Sequence, residues 1–364
     1  MKKMVGLAVA LVLASPPMHD AAPRRQQTLR SAAERVGMLV GAAVDPRHFS
    51  ESEYGGTLAR EFNMVEPENA MKWPQTEPGP GRFDFGPGDA VVSFAEAHRM
   101  KVRGHNLLWY EHNPRWLEDG HFTDAELRDI MERHITTVAG HFAGKVFAWD
   151  VVNEAFDRDG TLRHSIWFDR PGIGFADRGT AYIEQAFRWA HEADPKALLF
   201  YNDYAAEGIN SKSDAIYAMV KDFKHRGVPI DGVGLQMHLS LADAAGLSSL
   251  DANIGRLAAL GLQVHITELD VGLPINADGQ LRDLADGRRQ ADLYALVARA
   301  CTANPACTAF QTWGFTDKYS WIPGFTHGAR GAALLFDAKY QPKPAFDAVL
   351  DAFRSAKRRP NRAR

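Results

Sequence analysis

Short apolar runs rich in β-branched or aromatic residues recur along this chain, at 38–44, 62–66, 102–109, 146–153, 198–204, 233–238, 264–271 and 310–315. Longer stretches with apolar positions at helical spacing lie between them, among them 90–99, 124–142, 181–193, 211–226 and 287–303. Eight strands alternating with helices predict an α/β architecture, a single (β/α)8 TIM barrel. An open doubly wound sheet is the alternative topology, but the glycine-rich phosphate turn expected after its first strand is missing. Polar residues close the apolar runs: Glu68 and Asn69, His105 to Trp109, Asn153 and Glu154, Asn202 to Tyr204, Gln236 and His238, Glu268 and Asp270, and Trp313. Buried polar groups cost free energy unless paired, so one at nearly every strand terminus points to a shared site. In a barrel these termini meet on the C-terminal face, where active sites are built.

Two of the terminal residues are glutamates, in Trp-Asp-Val-Val-Asn-Glu (149–154) and Ile-Thr-Glu-Leu-Asp (266–270). Two carboxylates facing one cleft are the minimum equipment for cleaving a glycosidic bond through a covalent intermediate. Side chains alternate faces along a strand, so Glu268 and Asp270 project together, as do Gln236 and His238. A chain from Glu268 through His238 to Asp270 would hold Glu268 ionised, as a nucleophile requires. Glu154 has the opposite task, protonated as an acid and then ionised as a base, and a negative Glu268 nearby raises its first pKa. Asn153 and Lys72 are candidate hydrogen-bonding partners for sugar hydroxyls. Trp109, Trp313 and Trp321 offer flat apolar faces with one donor each, suited to a pyranose ring.

Composition adds boundaries rather than chemistry. Hydrophobic residues make up 45% and charged residues 24% of 364, as in an ordinary globular enzyme, and the net charge of −3 suggests neither nucleic acid nor an anionic membrane as partner. Residues 1–22 read as a secretory signal: Lys2 and Lys3, an apolar run too short to span a bilayer, then small residues. Export is therefore expected, to periplasm or medium. Residues 23–356 form the expected barrel domain, and the basic residues of 357–364 read as a frayed tail. Cys301 and Cys307 flank Thr-Ala-Asn-Pro-Ala. In an oxidising compartment a bridge between them would clip a helix end to the next strand, with two buried thiols as the alternative. Their spacing does not suggest a zinc site.

Seven motifs carry a resemblance to glycoside hydrolase family 10. They are Phe-Asn-Met-Val-Glu-Pro-Glu-Asn-Ala-Met-Lys-Trp (62–73), Arg-Gly-His-Asn-Leu-Leu-Trp (103–109), Trp-Asp-Val-Val-Asn-Glu-Ala (149–155), Asn-Asp-Tyr (202–204), Gly-Leu-Gln-Met-His-Leu (234–239), Ile-Thr-Glu-Leu-Asp-Val (266–271) and Thr-Trp-Gly-Phe-Thr-Asp (312–317). The resemblance runs in family order over nearly the whole chain beyond the signal. It implies a (β/α)8 barrel and a retaining endo-1,4-β-xylanase acting on xylan and xylo-oligosaccharides, with no metal or organic cofactor and as a monomer. It assigns Glu154 as acid/base and Glu268 as nucleophile, supported by His238 and Asp270. On the glycone side it places Glu68, Asn69, Lys72, His105, Trp109, Asn153, Gln236, Trp313 and Trp321, and on the aglycone side Tyr204. The Cys301–Cys307 segment resembles a disulfide of some family members. The chain departs from the family pattern at Tyr110 (usually His), His112 (usually Gln) and Ala205 (commonly Asn), which leaves the contact and the pH dependence of His112 open. A non-catalytic barrel that only binds xylan or a protein is a competing reading, but both carboxylates are kept. A metal-dependent hydrolase, prompted by 14 histidines, would need paired ligands on one strand, and no run carries them.

Overall fold

The computed structural model describes residues 27–169 and 172–359. Eight parallel strands form the centre: β1 Leu39–Val44, β2 Met64–Pro67, β3 Lys101–Trp109, β4 Val146–Asn153, β5 Leu198–Asp203, β6 Gly232–Leu235, β7 Gln263–Pro274 and β8 Cys307–Thr312. Each pairs with its sequence neighbour, and β8 pairs with both β7 and β1, which closes the expected barrel. The longer helices are α1 Leu29–Val36, α2 Ser52–Glu61, α3 Gly86–Ala97, α4 Asp124–His141, α5 Ala181–Ala193, α6 Ser211–Arg226, α7 Leu250–Ala259, α8 Asp286–Ala303 and α9 Pro344–Ser355. Among the described residues no helix is long and apolar enough to cross a membrane.

Local sequence explains the helix limits. Thr123 and Glu126 form a reciprocal capping box at the start of α4, which buries Leu127, Ile130, Met131, His134, Ile135 and Val138 along one face. Asn210 and Ser213 do the same for α6, and Gly227 ends it in the left-handed region at φ 68°. Helix α1 is tied to α9 by Arg35, whose Nη2 donates to the carbonyls of Phe353 (2.6 Å) and Arg354 (2.9 Å).

The strand boundaries depart from the apolar pattern where the site begins. The sixth run, expected to continue to 238, breaks after Leu235, because Met237 takes a left-handed conformation at φ 68°. The segment His238–Ser240 then pairs with the far end of β7, His238 opposite Asp270. Arg330–Gly331 also pairs there, so β7 extends to Pro274 instead of stopping at 271.

Cys301 and Cys307 are joined by a disulfide, Cα to Cα 5.1 Å, linking the end of α8 to the start of β8. The signal segment 1–22 lies outside the described residues, as do 360–364. Arg359, assigned to the frayed tail by its basic surroundings, is instead docked. Its Nη2 donates to the carbonyls of Cys301 (2.7 Å) and Asn304 (3.1 Å), and its Nη1 to that of Cys307. These carbonyls at the end of α8 and the following turn favour a cation.

Beneath the site the barrel interior holds a layer of charged side chains. Arg103, without exposed surface, pairs with Asp150, donates to His265 Nδ1 at 2.6 Å and lies 4.6 Å from the centre of the Phe200 ring. Burial pushes the Asp150 carboxyl up, but Arg103 and His105 prevail and hold it at about 2. Burial and the Arg103 charge together push His265 well below the usual imidazole range, so it accepts from Arg103 as a neutral ring. Beside this layer Gly104 allows close packing of Trp149: a Cβ there would fall 2.3 Å from the indole Cε3. Gly104→Ala is therefore expected to lower stability by about 1–3 kcal/mol through overpacking. Urea unfolding at constant slope checks this, and an unchanged midpoint would contradict the packing argument.

Candidate active site

The strand ends carry their polar residues to one mouth. Glu154 follows β4 in the left-handed region at φ 57°, and its amide donates to the Asn202 carbonyl at 2.9 Å. Glu268 lies within β7 and is buried to 3% exposure. A row of amides connects the two carboxyls. Gln236 Nε2 donates to Glu154 Oε1 (2.9 Å) and to Asn153 Oδ1 (3.2 Å). Asn202 Nδ2 donates to Asn153 Oδ1 (2.9 Å) and to Glu268 Oε1 (2.7 Å). Thr267 donates its hydroxyl to Asn202 Oδ1 at 2.8 Å, which fixes the direction of that amide. Asn202 stands at a strand end in the sequence, but its role there is invisible, because both of its acceptors are brought by other strands.

The chain from Glu268 through His238 to Asp270 is present. His238 lies 3.0 Å from Glu268 Oε2 through Nε2 and 3.0 Å from Asp270 Oδ2 through Nδ1. Burial opposes a charged imidazole, but the two carboxylates prevail and raise His238 well above its ordinary range. For Glu268 burial pushes upward; the His238 bond and the charges of His105 and His238 outweigh it, leaving the carboxyl below its usual value. Trp321 Nε1 also donates to Asp270 Oδ2, at 2.8 Å, and its ring meets His238 edge-on at 4.9 Å.

Glu154 is the electrostatic opposite. Burial first, then the negative charges of Asp203 and Glu268, push its carboxyl up to about 7, against hydrogen bonds from Gln236 and Trp109 that pull it down. The sequence points only to Glu268 as the source of this shift. Dehydration is the larger cause, and Asp203 contributes because β5 ends beside β4.

The remaining predicted residues surround this pair. Trp109 Nε1 donates to Glu154 Oε2 at 3.1 Å, and Trp167 Nε1 in turn holds the Trp109 carbonyl at 2.9 Å. Lys72 donates to Asn69 Oδ1 at 3.0 Å and lies 5.2 Å from the Trp109 ring centre and 5.8 Å from that of Trp313. Burial lowers the Lys72 pKa, opposed by Glu268, Glu68, Glu154 and Glu66, so the ammonium sits in the field of four carboxyl groups. Burial raises the pKa of Glu68. His105 is 3.1 Å from Asp150 through Nδ1 and meets Trp313 edge-on at 5.1 Å. Tyr204 lies beyond Glu154, its hydroxyl accepting from Arg163 at 3.0 Å, with Lys212 Nζ 3.8 Å from its ring centre. His112 stacks on Trp109 at 4.8 Å; partial burial and the Lys72 charge hold its imidazole below the usual range, hence neutral at neutral pH. Ala205 keeps a left-handed turn at φ 54° without an Asn side chain.

Among the described residues one group of donors, on Glu66, His105 and Glu268, lies within 4.8 Å of one another. Much of that capacity is already engaged: Glu66 Oε2 by Gln311, His105 Nδ1 by Asp150, and both Glu268 oxygens by Asn202 and His238.

A (β/α)8 barrel holding one ionised and one protonatable carboxyl at its C-terminal mouth is the equipment of a glycoside hydrolase. Comparison with known proteins gives the family. Residues 28–352 match the model of glycosyl hydrolase family 10, and the chain belongs to that family. It is 43% identical to endo-1,4-beta-xylanase B of Thermotoga neapolitana, over 89% of this chain and 90% of the relative. It is 36% identical to an endo-1,4-beta-xylanase of Agaricus bisporus, over 89% and 94%. The fold is similar to the crystal structure of xylanase 10B from Thermotoga petrophila RKU-1 in complex with xylobiose, with a TM-score of 0.85 and 43% identity over 91% of this chain and 98% of that one.

The Trp109 bond pulls the Glu154 pKa down, so Trp109→Phe should move the titration of this carboxyl upward from about 7. Carbon NMR of labelled glutamate follows it directly. A midpoint unchanged or lowered would show that this hydrogen bond does not govern the acid.

Proposed function

We propose that this protein is an endo-1,4-β-xylanase that cleaves internal xylosidic bonds of xylan with retention of configuration. The observation that carries the reading is the unequal pair: Glu268 held ionised by His238, and Glu154 held protonated up to about 7. In the first step Glu268 attacks the anomeric carbon while Glu154 gives its proton to the departing glycosidic oxygen, leaving a glycosyl ester on Glu268. Esterification removes the negative charge of Glu268, one of the groups that raise Glu154, so Glu154 becomes a stronger acid and remains ionised. It then takes a proton from water, whose oxygen attacks the anomeric carbon and releases Glu268. The retaining geometry implies carboxyl groups about 5–5.5 Å apart.

In the same reading Glu68, Asn69, Lys72, His105, Asn153 and Gln236 offer hydrogen bonds to the glycone sugars, while Trp109, Trp313 and Trp321 bound them with flat faces. Tyr204 faces the aglycone. His238 and Asp270 orient and charge-balance the nucleophile. The name of the xylobiose-bound relative and the family's fold support a xylo-oligosaccharide substrate. The reading includes export by way of the 1–22 segment and action as a monomer without metal or organic cofactor.

Three outcomes test it. Proton NMR of xylo-oligosaccharide hydrolysis should show the β-anomer first; an initial α-anomer would mean inversion and exclude a glycosyl ester. With Glu154 ionising at about 7, kcat/KM should fall as pH rises through that value, because the acid form is lost on the alkaline side. Exhaustive chelation should leave xylan hydrolysis intact, and a loss restored by a divalent ion would replace this mechanism with a metal-assisted one.

A further inference from the structure

Glu154 carries its carboxyl on a backbone conformation that few non-glycine residues adopt, φ 57°. Such a conformation persists only where its surroundings over-determine it. On one side the determinants are main chain and core: Glu154 N–H to the Asn202 carbonyl at 2.9 Å, and Ala155 N–H to Tyr201 Oη at 2.9 Å. On the other side stands Arg163, whose main-chain N–H donates to the Ala155 carbonyl at 2.8 Å and whose guanidinium makes the remaining contacts. Arg163 donates from Nε to the Glu154 carbonyl (3.1 Å) and from Nη2 to the Phe156 carbonyl (3.1 Å) and Tyr204 Oη (3.0 Å). Its Nη1 pairs with Asp157 Oδ1 at 2.8 Å. Its Cζ lies over the Tyr110 ring, 4.2 Å from the ring centre. Tyr110 stands where the family usually has His, so this chain seats the arginine on a phenol. The planar fork of Arg matches several acceptors at once, which a lysine ammonium cannot reproduce.

We propose that Arg163, seated on Tyr110, is a positioning residue that aims the Glu154 carboxyl at the leaving oxygen and ties that aim to Tyr204. The proposal rests on the assignment of Glu154 as the acid. A group that positions only the proton donor matters in proportion to how much the leaving group needs a proton. A group that merely holds the fold matters equally for every substrate.

The test compares kcat/KM for xylo-oligosaccharides with kcat/KM for dinitrophenyl β-xylobioside, whose leaving group departs unprotonated. Arg163→Met should lose roughly 10²-fold on the oligosaccharides, the size expected for a misplaced catalytic group. On the dinitrophenyl substrate it should stay within about threefold, since proton donation contributes little there. Arg163→Lys should fall between wild type and Arg163→Met on the oligosaccharides. Equal losses on both substrates, or no loss on the oligosaccharides, would overturn the proposal. If Arg163→Met does not fold, Tyr110→Ala removes the seat and leaves the fork, and a loss confined to the oligosaccharides is again the expected result. Glu154→Ala measured alongside separates the two levels: equal losses on both substrates for that variant would remove the acid assignment itself.

Discussion

One imidazolium carries much of the electrostatic order of this site. His238 lies between Glu268 and Asp270 at 3.0 Å from each, a half-buried imidazolium set between two buried carboxyl groups. Removing isolated charges from water is expensive, and an ionised Glu268 persists at this depth only because its partners compensate it. Everything that must be placed for this contact is placed by the backbone. The break of β6 at Met237 turns His238 toward β7, and the extended β7 holds Glu268 and Asp270 on the same face, two residues apart. Without the break, His238 would continue along the barrel wall.

The charged layer under the site extends the same logic inward. Arg103 and Asp150 form an ion pair with no exposed surface, and Asp150 orients His105 through Nδ1. Glu66 sits beside them and is pushed well above the ordinary carboxyl range, by burial first and then by Asp150. A neutral Glu66 next to an ionised Asp150 and an ionised Glu268 keeps the interior from accumulating like charges. Such a layer is a costly way to fill a barrel compared with hydrocarbon. Its value lies in direction: His105 at the mouth has a fixed partner, Asp150, beneath it.

The opposite characters of the two glutamates follow from their neighbours. Both are buried, so dehydration raises both. Glu268 meets two imidazoles and falls below its ordinary value, whereas Glu154 meets Asp203 and Glu268 and rises to about 7. The amide row of Gln236, Asn153 and Asn202 joins them without carrying charge, which leaves their separate protonation states intact.

Much of this was legible in the chain. Eight apolar runs with polar ends imply the barrel and the face on which the site lies, because strand alternation and the direction of parallel strands are local properties. The same pattern names Glu154, Glu268, His238 and Asp270, and the spacing of Glu268 and Asp270 already places them on one face. Other features belong to the tertiary structure alone. Asn202 bridges Asn153 and Glu268, Asp203 raises Glu154, and Arg163 grips the Glu154 carbonyl, each across strands or loops distant in sequence. The docking of Arg359 on the turn after α8 has the same origin, since basic composition cannot reveal where the accepting carbonyls lie. Sequence determined which groups stand at the strand ends, because the period of a strand is written in consecutive residues. Only the closed barrel decided which of them touch, because hydrogen bonds and charge act through distances that the chain's order does not encode.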